Sequence, residues 1–161
     1  MDRRKRVGFI MKEVFKDLGI TLKGEKSEFH FLSDEDLKNL SAFFESKYIP
    51  EGETLWKEED PFNYIAFIVS GKVEIKKEAE FGGMNVIVGI YSKGALCILD
   101  ESLKKVTAVA LEDVSLAIIT QENLDKLIAT NPALGAKLLK GMLLTVSDRL
   151  RKSFDRLTVF F

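Results

Sequence analysis

The residues of this chain best suited to hold a small charged ligand lie together between Lys93 and Ala110, in the stretch KGALCILDESLKKVTAVA. It opens on a Lys-Gly turn, and its middle, Asp100 to Lys105, is polar and charged between two runs that alternate like strands. Lys104 and Lys105 offer charge to an anion, Asp100 and Glu101 offer acceptors, and Thr107 offers a hydroxyl. With the backbone near Leu99 these residues form the candidate ligand-binding set. A carboxylate without positioned neighbours is usually a solvated surface group, so the surrounding elements decide whether the loop holds anything.

Other chemistry is sparse. His30 is the only histidine, so neither a Ser/His/Asp or Cys/His constellation nor a multi-histidine metal site can be assembled. We expect no catalytic residue, no metal and no enzymatic activity; His30, beside Phe29 and Phe31, is read as a packing or surface residue. Cys97 lies in the apolar run ALCIL and reads as a small buried hydrophobe; as a sensing thiol it would have only Lys93 and Lys104 as cationic neighbours. Trp56 alternates with Leu55 and reads as core or interface. Gly82-Gly83 turns a hairpin, without the following helix N-terminus that a phosphate loop needs.

Composition bounds the rest. With 161 residues, 46% of them hydrophobic, the chain can bury one good core. A formal net charge of -1 argues against wholesale nucleic-acid binding, which needs many uncompensated cations. A single cysteine excludes an internal disulfide and fits a reducing compartment. No apolar run reaches the roughly 20 residues that span a bilayer, and no signal-peptide core opens the chain. The expectation is a cytoplasmic protein with no membrane partner.

The elements that must position the loop follow from periodicity. Val7, Ile10, Met11, Val14, Phe15 and Leu18 recur at helical spacing, predicting an amphipathic helix that ends near Gly19, behind a solvated basic run Arg3 to Arg6. Ser33 with Asp36 three positions on is a near capping box, and Leu37, Leu40, Phe43 and Phe44 give the helix after it one apolar face. From Lys47 the period changes to alternation. Pro50 and Gly52 make a tight turn between two short strands, Tyr64 to Val69 is a nearly continuous buried strand, and Ser70-Gly71 turns it into Val73 and Ile75. Asn85 to Tyr91, Val106 to Ala110 and Val114 to Ile119 are further strands, a spacing that suggests a jelly roll. Thr120 reads as an N-cap, Asn131-Pro132 as a break, and Pro132 as the first turn of a long helix. On that helix Leu139, Leu143, Val146, Leu150, Phe154 and Leu157 form an apolar stripe too long for so small a domain to cover, which predicts a homodimer through it. The organisation expected is an α+β fold: an N-terminal helix and linker over 1–30, then a domain over 31–161 with its jelly roll at about 46–120 and C-terminal helices over 121–157.

This order of elements, with PEGETLWKEEDPFNYIAFIVSGKVEI at its centre, resembles the cyclic-nucleotide-binding domain of the catabolite activator family. The family's Pro-x-Gly-Glu turn, acidic turn and Ser-Gly turn are met by Pro50, Gly52, Glu53, Glu59, Asp60, Ser70 and Gly71, and the resemblance covers roughly residues 31–154. It implies a phosphate-binding cassette in which a Gly-Glu pair offers N–H groups to a cyclic phosphate and a carboxylate to a ribose hydroxyl, while an Arg grips the phosphate. Aligned on Lys93-Gly94, Ile98 and Leu99 stand where the Gly and Glu belong, and Lys104 where the Arg belongs.

Each departure weakens the expected grip. Ile98 resists the dihedrals that Gly accepts, Leu99 lacks an acceptor, and Lys104 keeps the charge without the two-pronged geometry. Asp100 or Glu101 would serve only in a slipped loop. The resemblance thus implies a non-enzymatic regulatory or sensor module in which ordinary cyclic AMP recognition is weakened or lost, with no cofactor other than a cyclic nucleotide. The alternatives are a true cyclic-nucleotide-binding protein with a rearranged cassette and a ligand-free module for a protein partner. The sequence closes at LTVFF without a helix-turn-helix, so sequence-specific DNA contact is not expected.

Overall fold

Two strands carry apolar residues on both faces, and the fold buries both. The computed structural model describes residues 28–56, 64–78, 82–97 and 106–159. Among the described residues eight strands form two four-stranded antiparallel sheets. Glu45–Ile49 (β1), Val114–Thr120 (β8), Tyr64–Ser70 (β3) and Leu96–Cys97 (β6) make one sheet, in the order β1-β8-β3-β6. Thr54–Trp56 (β2), Thr107–Ala110 (β7), Val73–Glu78 (β4) and Asn85–Tyr91 (β5) make the other, in the order β2-β7-β4-β5. This is a jelly roll, flanked by a helix at its N-terminal side and a long helix at its C-terminal side.

Because successive side chains on a strand point to opposite faces, β3 and β8 divide their residues between two cores. Ala66, Ile68, Leu116 and Ile118 face the second sheet and pack with Trp56, Val73, Ile75, Ala108 and Ala110. Phe67, Val69, Ala117 and Ile119 face the helices and pack with Phe29, Leu40, Phe44, Leu127, Leu138 and Met142. The sequence accordingly shows IAFIV and LAII as unbroken apolar runs. β4 and β7 meet the core on one face only, so Val73, Ile75, Ala108 and Ala110 are buried while Glu74, Lys76, Thr107 and Val109 are not. Each fully buried large aliphatic or aromatic side chain stabilises by roughly 1.5–3 kcal/mol.

The Pro50-to-Glu53 turn is a crossing between sheets. β1 pairs with β8, whereas β2 pairs with β7, so the turn carries the chain from one layer to the other. It is pinned by Gly52 N–H donating to the Ala110 carbonyl at 2.8 Å and Ala110 N–H donating to the Glu53 carbonyl at 2.9 Å. Gly52 adopts φ 81°, a region open to glycine at little cost. The Asp113 carboxylate accepts from Glu51 N–H at 2.9 Å, and that bond, with the Tyr48 hydroxyl second, holds it below the ordinary carboxylate value.

The helices grip the body through caps and side chains. Asp34–Ser41 (α1) starts on a complete capping box: Ser33 Oγ accepts from Asp36 N–H at 3.0 Å, and Asp36 Oδ2 accepts from Ser33 N–H at 2.9 Å. The helix ends earlier than the apolar spacing implied. Phe43 and Phe44 lie beyond it, because the chain must turn into β1 at Glu45; Phe44 is buried against Phe67, ring centroids 5.7 Å apart. Thr120 caps Gln121–Thr130 (α2) by accepting from Asn123 N–H, and Asn131 both closes α2 and caps Pro132–Thr158 (α3) through Leu134 N–H. Asp36 also receives the Lys137 ammonium at 2.8 Å, which ties α1 to α3. The helix expected over residues 7–18 lies outside the described residues.

Candidate functional site

The long helix α3 presents two stripes. Leu134, Leu138 and Met142 are buried against the body, and Thr145 and Arg149 continue that stripe at three-and-four spacing, both half-buried. A second stripe, Leu139, Leu143, Val146, Leu150, Phe154 and Leu157, set one residue further on and so roughly 100° round the helix, is between 37 and 66% exposed. From Leu150 to Val159 every residue is exposed, so the last turns of the helix project past the body.

Arg149 is the polar end of the body-facing stripe. Its Nη2 donates to the carbonyl of Leu96 in β6, and its guanidinium carbon lies 4.7 Å from the centre of the Tyr91 ring, at the end of β5. Both partners are neutral. The charges beside it on α3 are satisfied among themselves: the Asp148 carboxylate meets Lys152 Nζ and Arg151 Nη2, each at 2.6 Å, and these cations, Lys152 first, hold it below the ordinary carboxylate value. Among the described residues no carboxylate pairs with Arg149. A guanidinium resting on a ring keeps its N–H groups at its own rim, where they remain directional donors.

Of the residues singled out as ligand-binding, Leu99, Asp100, Glu101, Lys104 and Lys105 lie outside the described residues, as do Glu59 and Asp60 and the side chain of Cys97. Thr107 lies on β7 opposite Lys76, on the face of that sheet turned away from the core. Two strands and three residues separate it from Tyr91, on the order of 14 Å from ladder spacings, so a single phosphate does not reach both Thr107 and the Arg149 corner. Trp56 is core, 2% exposed. His30 is exposed, with its ring edge-on to Phe31 at 5.8 Å. Among the described residues no group of His, Cys, Asp or Glu is placed to hold a metal ion, and no helix is long and apolar enough to cross a membrane. The sequence pattern gave Arg149 no role. The signal that marks it is its position four residues after Thr145, on the stripe that faces the body.

A family model for the cyclic nucleotide-binding domain matches residues 46–131, more than half of the chain. The chain belongs to that family. This cyclic nucleotide-binding domain is 27% identical over 108 residues to the cyclic AMP receptor protein of Thermus thermophilus, across 65% of the chain and 50% of that protein. It is 24% identical over 111 residues to a putative potassium channel protein of Rhodopseudomonas palustris, across 68% of the chain and 27% of the channel. The domain therefore spans half or less of the curated relatives it matches. In three dimensions it is similar to a cyclic nucleotide-binding domain from Methylobacillus flagellatus, with a TM-score of 0.77, 26% identity, and coverage of 92% of this chain and 85% of that one. The catabolite activator protein of Thermus thermophilus has the same fold, with a TM-score of 0.64 and 24% identity over 83% of this chain and 62% of that one.

Proposed function

We propose that the chain is a non-enzymatic regulatory module of the cyclic-nucleotide-binding type, working in the cytoplasm, that signals through pairing of α3 with a second copy of itself. The outward stripe of α3 carries this reading: six large apolar side chains at helical spacing stand exposed on one chain, and an amphipathic helix normally buries such a face. A ligand that favoured one position of α3 over another would shift the pairing by its differential affinity for the two states.

Ordinary cyclic AMP recognition is weakened or lost in this reading. Its support is the identity of Ile98, Leu99 and Lys104 at the positions where the resemblance asks for Gly, Glu and Arg. If a ligand is held, Leu99, Asp100, Glu101, Lys104, Lys105 and Thr107 are its sequence-based surroundings, and no resident cofactor or metal is required. Equilibrium titration of the full chain with cyclic AMP and cyclic GMP, with the mass measured in parallel by light scattering, tests both halves. Weak or absent binding by a dimeric chain is the expected result. Saturable binding with Kd near or below ~1 μM would overturn the loss of recognition, and a strictly monomeric chain would overturn the signalling route.

A further inference from the structure

We propose that β5 is a self-pairing edge: it adds to the β5 strand of a second copy of the chain and joins the two β2-β7-β4-β5 sheets into one. The contact is separate from the outward stripe of α3 and does not depend on the pairing proposed for that helix. Among the described residues each sheet has two edge strands, β1 and β6 in one, β2 and β5 in the other. An edge strand presents unpaired N–H and C=O groups that can template another chain, and proteins blunt such edges with short strands, charges or proline. Three of these four edges are blunted in that way. β6 has two residues and β2 has three, and β1 carries Glu45 and Lys47 among its five. β5 has seven residues, NVIVGIY, with neither a charge nor a proline.

The side chains of β5 point to the same use. Val86, Ile87, Val88 and Ile90, with Met84 just before the strand, are each more than half exposed. Ile87 and Ile90 lie opposite Lys76 and Glu74 of β4, on the face turned away from the core, where those two charges neutralise each other at 2.8 Å. The strand thus offers a neutral, apolar surface beside a satisfied ion pair, and the occupant that fits it is a strand equally apolar and uncharged. β5 itself is such a strand. Two copies meeting antiparallel about a two-fold axis oppose no like charges, satisfy outward backbone groups of each other and bring the β-branched side chains of both strands together. The edge has one irregularity. Ile75 stands opposite Gly89 and Lys76 opposite Ile87, so Val88 is an extra residue, a bulge. It leaves three residues on either side, 85–87 and 89–91, and so limits the length of the paired stretch. An interface built on one strand falls below the ~800 Å² per partner of standard size, which makes the contact weak and dependent on concentration. With α3 pairs as its units, this second two-fold contact would link dimers into tetramers.

The test is sedimentation equilibrium of the full chain from about 5 μM to about 1 mM, the range that suits an interface of less than standard size. The parent is compared with a β5 variant, Ile87→Lys with Val88→Lys, with an α3 variant, Leu143→Glu with Leu150→Glu, and with the two combined. Ile87 and Val88 are exposed, so the β5 variant should keep the circular dichroism and unfolding temperature of the parent. The expected result is a second, reversible association step of the parent at the upper concentrations, weakened at least about tenfold in the β5 variant, where like charges would meet across the axis. The α3 variant should pass from monomer to dimer over the same range, and the combined variant should stay monomeric. If α3 does not pair, the parent itself follows that monomer-to-dimer course and the β5 variant still abolishes it, so the two readings fail separately. Amide hydrogen exchange locates the contact: residues 85–91 should exchange more slowly at the upper concentration in the parent and not in the β5 variant. The proposal fails if the mass is the same at both ends of the range, or if the β5 variant keeps the second step. It fails equally if growth is open-ended and does not reverse on dilution, the mark of aggregation through an apolar patch.

Discussion

Gly141 of α3 lies directly under the ring of Phe29: a Cβ built on it would stand 2.1 Å from Phe29 Cε1 and 2.2 Å from Cδ1. The ring has nowhere to retreat, since it is 3% exposed and packs edge-on to Phe67 with centroids 5.6 Å apart. The absence of a side chain at Gly141 is what lets the segment before α1 dock on the long helix. Alanine ordinarily favours a helix interior by about 1 kcal/mol over glycine, but overpacking a filled core costs typically ~1–3 kcal/mol. Gly141→Ala should therefore lose about 1 kcal/mol net, a fall in unfolding temperature of about 2–4 °C for a domain of this size. In a Phe29→Leu background the same substitution should be neutral or stabilising. Equal losses in both backgrounds would show that the notch is not the cause.

Two turn glycines separate backbone strain from collision. Gly52 and Gly71 both have positive φ, 81° and 90°. A Cβ at Gly52 meets nothing within 4 Å, whereas one at Gly71 meets the Asp113 carbonyl at 2.4 Å and Val114 Cα at 2.8 Å. Gly52→Ala should lose only the left-handed backbone penalty, about 1–2 kcal/mol. Gly71→Ala adds the displacement of the β7–β8 turn and should lose at least ~1 kcal/mol more. Urea unfolding of both variants measures the difference, and an equal loss would remove the collision from the account.

Asp36 gives the acid limb of stability a local origin. Its carboxyl is held below the ordinary value of 3.8 by the hydrogen bond from Lys137 and then by the Ser33 N–H. A group with a depressed folded pKa contributes stability that is present above its unfolded value and is lost as pH falls through the folded one. The contribution of Asp36 is thus complete at neutral pH and disappears as pH drops below about 3.8. Asp36→Ala should lose about 0.5–2 kcal/mol at pH 7, the usual cost of losing a cap. Its deficit relative to the parent should shrink in acid. A deficit independent of pH would mean that the carboxylate charge contributes nothing.

Periodicity and turn chemistry made the three helices of the described residues and most of their strands legible from the sequence. Ser33 with Asp36, Thr120, and Asn131-Pro132 each mark the start or stop that the structure uses, because caps are local interactions among neighbouring residues. The buried run from Tyr64 to Val69 was legible for the same reason: only a strand covered on both faces needs apolar residues at every position. What the sequence concealed were choices made by distant partners. Nothing local in Thr54–Trp56 says that it joins β7 instead of the preceding β1, and nothing in Leu96–Cys97 announces a short strand against β3. Val86, Ile87, Val88 and Ile90 spell a buried strand, yet they stand exposed on the edge strand β5. Arg149 was visible as a charge but not as a contact, since its carbonyl partner is 53 residues away.

The outward stripe of α3 yields the prediction that bears most on function. Leu143 and Leu150 are 66 and 56% exposed, so replacing both by Glu should cost the single chain little, within about 0.5 kcal/mol each for surface sites. In a pair of helices the same carboxylates would be buried against apolar neighbours without partners, an arrangement that costs several kcal/mol. The double variant should therefore keep the parent's circular dichroism while its solution mass falls from twice 18.2 kDa to 18.2 kDa. A helix that mattered only for covering its own domain would behave in the opposite way, with the mass unchanged and the unfolding temperature reduced. Sedimentation equilibrium together with thermal unfolding separates the two, because pairing and self-cover move different observables.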